Sequence, residues 1–335
     1  MSEVDEMILG SSQPRGGTLL VASTGGHLEE LYRLKSRFSP TVVDAEWVTF
    51  DTPQSRSLLS DETVHYVRYV APRAYGAALA TLVDAQRILR RRRYDRVVST
   101  GAGIAVPLLT AARVLGFPCH FIESAARSEG PSYTGSLVAR LPGIHLYTQY
   151  PAWATRRWFY HGSLFDGYLG DSSVGQPIPA ASRVVVTLGT METYGFRRAL
   201  ERLVKLLPEV LSADAEVLWQ VGVTDASGLG IESHVSVPAH TLRAAIADAD
   251  LVIAHSGVGS ALTALEAGHC PVLLPRSHAH SEHVDDHQLL IATELDTRGL
   301  AVGRDPDVLN ADDLFRAMSI RISAASAPSA FLLTG

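Results

Sequence analysis

Apolar runs without polar alternation recur along the chain, and each breaks off at a glycine-containing loop before helical spacing begins. Thr18 to Ala22 (TLLVA) leads into Ser23-Thr24-Gly25-Gly26-His27 and then into Leu28, Leu31 and Leu34. Asp95 to Ser99 leads into Thr100-Gly101-Ala102-Gly103, an apolar helix to Leu115, a stop at Gly116 and the run Cys119 to Ile122. Unalternating runs of this length suit strands buried on both faces of a parallel sheet. Strands alternating with helices predict an α/β chain with doubly wound sheets.

The second half repeats the plan. Arg183 to Thr187 enters Leu188-Gly189-Thr190 and a helix over 196–207; Leu251 to Ala254 enters His255-Ser256-Gly257-Val258-Gly259-Ser260, a helix to Ala267, a stop at Gly268 and the strand Pro271 to Leu274. The paired units are offset by 165 and 154 residues. Two Rossmann-like domains facing a central cleft follow. The expected division is a disordered leader over 1–16, a first domain over 17–168, a Gly-, Ser- and Pro-rich linker over 169–182 and a second domain over 183–335. Ligands of such sheets sit at the carboxyl ends of the strands. Two facing sheets would make one cleft with a sub-site on each side, suited to joining a donor to an acceptor.

Size and charge narrow the class. The 335 residues are 46% hydrophobic and 19% charged, with net charge −6, enough for two domains with real cores. An acidic balance disfavours a nucleic-acid partner. Two cysteines, Cys119 and Cys270, make neither a disulfide framework nor a four-cysteine zinc site, which points to the cytoplasm. The least charged stretch, 101–116, contains Pro107 and Arg113 and falls short of the ~20 apolar residues of a spanning helix. The net charge nevertheless conceals an asymmetry. Residues 73–96 hold seven arginines and two aspartates, +5 against −11 elsewhere, and end in Arg90-Arg91-Arg92-Arg93. This is either the solvated end of a sheet-covering helix or a patch for anionic lipid headgroups, which would place the protein peripherally on the inner face of the cell membrane.

Several constellations can carry chemistry. In the loop from His255 to Ser260, small residues let backbone N–H groups approach a diphosphate at a helix N-terminus, with Glu266 further along as acceptor for ribose hydroxyls. The same glycines would also serve a plain tight turn. His278 to Gln288 (HAHSEHVDDHQ) brings His283 and His287 to one helix face, so zinc is a possibility, although Val284 breaks the metalloprotease pattern. The metal-free alternative is a segment closing over a sugar through Asp286, His287 and Gln288, and no metal or cofactor is expected. His27, after Gly25 and Gly26, is a natural general base. Thr100-Gly101-Ala102-Gly103 with Glu123 invites a dinucleotide reading, but Val106 stands where the third glycine belongs. Asp248-Ala249-Asp250 precedes its strand, at the edge opposite the ligand side, and reads as structural.

With these residues assembled, the chain resembles UDP-sugar glycosyltransferases of the family 28 type with the GT-B fold. It most resembles a fusion of the acceptor and donor subunits of the dolichol-diphosphate N-acetylglucosaminyltransferase and their bacterial exopolysaccharide counterparts. In the first half the resemblance rests on Thr24-Gly25-Gly26-His27, Ser99 to Gly103, Glu123-Ser124, Arg127, Tyr147 to Pro151 and Tyr160-His161-Gly162. In the second it rests on Thr187 to Thr190, Gln220 with Gly222, His255 to Ser260, Glu266 and Asp286-His287-Gln288. It implies a UDP-sugar on Gly189, Thr190, Gln220, His255, Ser256, Gly257, Gly259, Ser260, Glu266 and the 286–288 segment. It also implies an acceptor at Gly25, Gly26, Thr100, Gly101, Gly103, Ser124 and Arg127, lipid-linked or small. The expected reaction is inverting sugar transfer to a hydroxyl, with His27 as base and Glu123 as second choice. Rival readings are transfer to a soluble natural product, a UDP-sugar 2-epimerase and a non-catalytic UDP-sugar-binding scaffold.

Overall fold

The computed structural model describes residues 16–68, 75–172, 180–189, 193–284 and 286–334. The chain divides into two units. The first comprises Met1–Ser124, Pro131–His161 and Ala330–Gly335, and the second Ala125–Gly130 and Gly162–Ser329.

Unit 1 runs β1 (Gly17–Ala22), α1 (Gly26–Lys35), β2 (Phe38–Ser39), β3 (Ala45–Phe50), α2 (Pro53–Leu58), β4 (Thr63–Val67), α3 (Tyr75–Leu89), β5 (Tyr94–Gly101), α4 (Ala105–Val114), β6 (Cys119–Ile122), α5 (Tyr133–Val138), β7 (Ile144–Thr148) and β8 (Trp158–Tyr160). Its seven-stranded sheet has the order β4-β3-β1-β5-β6-β7-β8, and every neighbouring pair is parallel. All six residues of β1 are buried, as its unalternating sequence requires. Leu19, Val21, Val97, Leu108, Leu109, Phe121 and Leu146 form its core.

Unit 2 runs β9 (Tyr168–Asp171), β10 (Ala181–Thr187), α6 (Arg197–Leu206), β11 (Leu211–Gln220), β12 (Ser233–His234), α7 (Ala239–Ala247), β13 (Leu251–His255), α8 (Val258–Glu266), β14 (Val272–Leu274), α9 (His287–Thr297), β15 (Val302–Gly303), α10 (Ala311–Ser319) and β16 (Arg321–Ala324). Its parallel sheet is ordered β12-β11-β10-β13-β14-β15, with β9 and β16 as a separate antiparallel pair. Asp250, just before β13, accepts from the Ser182 and Arg183 amides at 2.8 and 2.9 Å, so Asp250 fixes the base of the sheet.

In both sheets the order of the strands reverses at one point, between β1 and β5 in unit 1 and between β10 and β13 in unit 2, while the strands stay parallel. In open α/β sheets such a reversal leaves a crevice at the carboxyl ends of the strands. The two glycine loops of each unit therefore meet there.

The division differs from the expected boundaries. Residues 162–168 already belong to unit 2, and the expected linker over 169–182 includes β9 and the start of β10. Residues 173–179 of that linker, and 1–15 of the expected leader, lie outside the described residues. Near its end the chain returns to unit 1. There β17 (Phe331–Leu332) pairs in parallel with β2, Phe331 is fully buried against Phe38 and Tyr147, and Tyr147 Oη donates to the Thr334 carbonyl at 2.9 Å.

Candidate functional site

In unit 1 the crevice is built around His27. Gly25, with φ +89°, turns the chain from β1 into α1, and its amide donates to Gln54 Oε1 at 2.7 Å. His27 then enters the first turn of α1, half-buried, with Nδ1 2.8 Å from the Thr100 carbonyl oxygen at the end of β5. A carbonyl only accepts, so neutral His27 carries its proton on Nδ1 and its lone pair on Nε2. Thr100 Oγ1 donates back to the His27 carbonyl at 2.8 Å. A side chain at Gly101 would reach 3.4 Å from the imidazole at a φ of +103°, which accounts for glycine there. Ala102 and Gly103 follow, half-buried, before α4.

Glu123 and Ser124 follow β6. Glu123 is 1% exposed, and its carboxylate accepts from the Ser132 amide (2.9 Å) and hydroxyl (3.1 Å) and the Ser124 amide (3.2 Å). Burial raises its pKa, against the lowering by these bonds and, more weakly, by His27. Ser124 Oγ donates at 2.7 Å to Glu30 of α1, a carboxylate only 2% exposed that sequence reasoning passed over. Gln149 ties the two acids, donating to Glu30 Oε2 (3.4 Å) and the Glu123 carbonyl (3.0 Å). Glu123 is thus an acceptor at both oxygens. Arg127 lies in the segment 125–130, which clusters with unit 2.

In unit 2 the crevice is built around His255. Its ring lies against two glycines: an added Cβ would come 2.8 Å from the ring at Gly189 (φ +83°) and 2.5 Å from Nε2 at Gly257. The imidazole bonds the Thr187 carbonyl, and Ser260 Oγ lies 3.4 Å from Nδ1. Burial, with the charge of Arg276, pulls its pKa down to about 4, so it is neutral at physiological pH. Behind it α8 opens on Gly257 with no side-chain cap, and the Ser256 hydroxyl is fully buried with no partner among the described residues. Uncapped first-turn amides and an orphaned hydroxyl suit an anion.

Other expected donor residues have different positions. Glu266 is the exposed last residue of α8, about 12 Å of helical rise from Val258, so it is not beside the loop's amides. Gln220 is buried and used internally, donating to Thr187 Oγ1 (2.9 Å) and accepting from the Val237 amide (2.9 Å). Asp286 accepts from the His278 amide at 2.8 Å, and Gln288 from the Arg276 amide at 3.2 Å. His287 opens α9, its ring edge-on to buried His283 with centroids 4.7 Å apart. Thr190 lies outside the described residues. Among the described residues no three His, Cys, Asp or Glu side chains are grouped to hold a metal ion.

The arginine run divides. Arg90, Arg91 and Arg93 are exposed, with Arg90 and Arg91 lining a shallow surface with Val83, Gln86 and Arg87. Arg92 turns inward to Glu46 (2.9 Å) and packs over Tyr94, so it does not belong to a free basic patch. Among the described residues no helix is long and apolar enough to cross a membrane.

Comparison with known proteins bears on the fold. Residues 183–309 match the glycosyltransferase family 28 C-terminal domain. Two curated relatives are named UDP-N-acetylglucosamine--N-acetylmuramyl-(pentapeptide) pyrophosphoryl-undecaprenol N-acetylglucosamine transferase. The one from Trichodesmium erythraeum is 25% identical over 61% of this chain and 55% of its own. The one from Halorhodospira halophila is 28% identical over 80% and 73%. The chain thus spans little more than half of the first relative. Among solved structures, Acinetobacter baumannii MurG superposes with a TM-score of 0.55 at 18% identity, covering 90% of this chain and 89% of that one. The UDP-GlcNAc 2-epimerase from Methanocaldococcus jannaschii gives 0.57 at 12%, covering 90% and 91%. The fold is of the GT-B type, and its second half carries a family 28 C-terminal domain.

Proposed function

We propose that this chain is an inverting glycosyltransferase that moves a sugar from a UDP-sugar to a hydroxyl of a polyprenyl-diphosphate-linked sugar, in exopolysaccharide or cell-surface glycan synthesis. The observation that carries this reading is the coincidence of the family 28 match with the uncapped α8 N-terminus and the orphaned Ser256 hydroxyl. As the sugar–diphosphate bond breaks, negative charge gathers on UDP, and amides from Ser256 to Ser260 stabilise it without a metal. Gly189 and Gly257 keep the strand ends low enough for a diphosphate to approach, and the 286–288 segment frames the sugar side.

Unit 1 takes the acceptor. His27 Nε2 removes the hydroxyl proton, with the tautomer held by Thr100; Glu123, saturated by Ser132 and Ser124, holds the loop after β6 in place. Gly25, Gly26, Gly101 and Gly103 leave room for the acceptor beside the imidazole. Arg90, Arg91 and Arg93 draw the protein to anionic lipid, where such an acceptor resides, as a peripheral protein of the inner face. The motif resemblance to fused acceptor and donor subunits of the dolichol-diphosphate enzyme supports the same assignment of halves.

The test is UDP release from a panel of UDP-sugars, with and without membranes containing polyprenyl-diphosphate sugars. Release that requires those membranes is expected. Equal release with a soluble acceptor, or conversion of the UDP-sugar with no acceptor, would replace this reading.

A further inference from the structure

Gly25 sits at φ +89° and ψ −148°, a backbone region used almost only by glycine, and His27 follows two residues later. A turn of this kind persists where its surroundings over-determine it. Gln54, the half-buried second residue of α2, does so with one side-chain amide. Its Oε1 accepts from the Gly25 amide at 2.7 Å, and its Nε2 donates to the Gly25 carbonyl at 3.4 Å and to Glu29 Oε1 at 3.0 Å. Arg33 takes the other oxygen of Glu29 at 3.0 Å. His27 is thus bracketed in sequence by two residues that Gln54 holds.

Gln54 stands on a fixed base. Pro53 opens α2, the Ser55 amide donates to Thr52 Oγ1 at 3.2 Å, and the Thr52 amide donates to Ser55 Oγ at 3.1 Å. Ser55 is fully buried, and its hydroxyl donates to the Phe50 carbonyl at 2.7 Å, at the end of β3. In the sheet β3 and β5 are the two neighbours of β1. The loop that follows β1 is therefore held from both sides. Thr100 of β5 sets the imidazole ring, and Gln54, after β3, sets the backbone that carries it.

We propose that Gln54 is a positioning residue for His27: it fixes the Gly25 turn so that Nε2 stands within reach of the acceptor hydroxyl, and it acts through the imidazole rather than on substrate. This rests on the reading of His27 as the base given above. Leucine in place of Gln54 would keep the bulk and lose all three bonds. Glutamate would still accept from the Gly25 amide but would set a second carboxylate against Glu29. Pairing Gln54→Glu with Glu29→Gln reverses the polarity of that contact and restores a donor opposite an acceptor.

Rates of UDP release and calorimetric UDP titration test this on the full chain, Gln54→Leu, Gln54→Glu, the Gln54→Glu/Glu29→Gln pair, His27→Ala and Gln54→Leu/His27→Ala. Gln54→Leu should lower turnover about 10- to 100-fold, the scale of a misplacement of about 1 Å, with UDP affinity changed about twofold or less. In the His27→Ala background the same change should cost about twofold or less, because no imidazole is left to position. The Gln54→Glu/Glu29→Gln pair should recover most of what Gln54→Glu loses, and it decides the matter if Gln54→Leu does not fold. Absence of that recovery, or equal proportional losses from Gln54→Leu with and without His27, would reduce Gln54 to a packing role and overturn this inference while the base reading stands. Near-normal turnover of His27→Ala would overturn the base reading and this inference with it.

Discussion

His27 and Thr100 are joined twice, imidazole Nδ1 to carbonyl oxygen and hydroxyl to carbonyl oxygen, each at 2.8 Å. The double link ties the first turn of α1 to the end of β5 across the point where the strand order reverses, and fixes both position and tautomer of the imidazole.

If His27 is the base, His27→Ala should lower turnover about 100-fold or more while UDP affinity stays unchanged. Thr100→Val removes the hydroxyl but not the carbonyl that holds Nδ1, so its turnover should fall far less. Steady-state rates of UDP release, paired with UDP titration, check both. A His27→Ala enzyme of near-normal turnover would dismiss the assignment.

Gly257→Ala should destabilise unit 2 by about 1–3 kcal/mol, because its φ suits alanine and the cost is overpacking against His255. Adding His255→Ala should recover part of that loss, and urea unfolding of the four proteins in the cycle measures the coupling. Gly189→Ala should recover less with the same partner, since its φ of +83° penalises any side chain. Strict additivity of Gly257→Ala and His255→Ala would mean that the ring is not what excludes the methyl group.

Stability should fall on mild acidification. Burial lowers His120 to about 3, helped by His145 and Arg96, and His255 to about 4. Each ionises in the unfolded chain near 6.5, so below that pH the unfolded state binds more protons. The native state loses ground from about pH 6.5 down to the folded values and no further. Between about pH 7.5 and 5.5 each of these two histidines should cost about 1 kcal/mol of unfolding free energy. His120→Gln, which can still bond Tyr147, should flatten the profile; an unchanged slope would assign the acid sensitivity elsewhere.

Replacing Arg90, Arg91 and Arg93 together by alanine should abolish co-sedimentation with anionic vesicles at low salt, and added salt should weaken wild-type binding likewise. Arg92→Ala should instead lower thermal stability, because that side chain answers the half-buried Glu46. Loss of vesicle binding by Arg92→Ala alone would reverse this division.

Much of the fold was legible because buried parallel strands announce themselves. The runs at 18–22, 119–122, 183–187 and 251–254 coincide with β1, β6, β10 and β13 to within two residues. Asp250 likewise proved structural, as its place before β13 implied. The pairs His27–Thr100 and Gly189–His255 were foreseeable as loops, but only the strand order shows that each pair meets. Glu30 was hidden because one buried acid on an amphipathic helix looks like its exposed neighbours until Ser124 and Gln149 are placed.

The return of residues 330–334 to unit 1 has a topological cost. One cut between 172 and 181 cannot yield two complete folds, since the second fragment would carry off β17, Phe331 and the Thr334 carbonyl that Tyr147 binds. Two polypeptides made from these halves would have to exchange that strand, one donating the closing piece of the other's architecture. Removing the final residues would therefore injure the amino-terminal half of the molecule, the half farthest away along the chain.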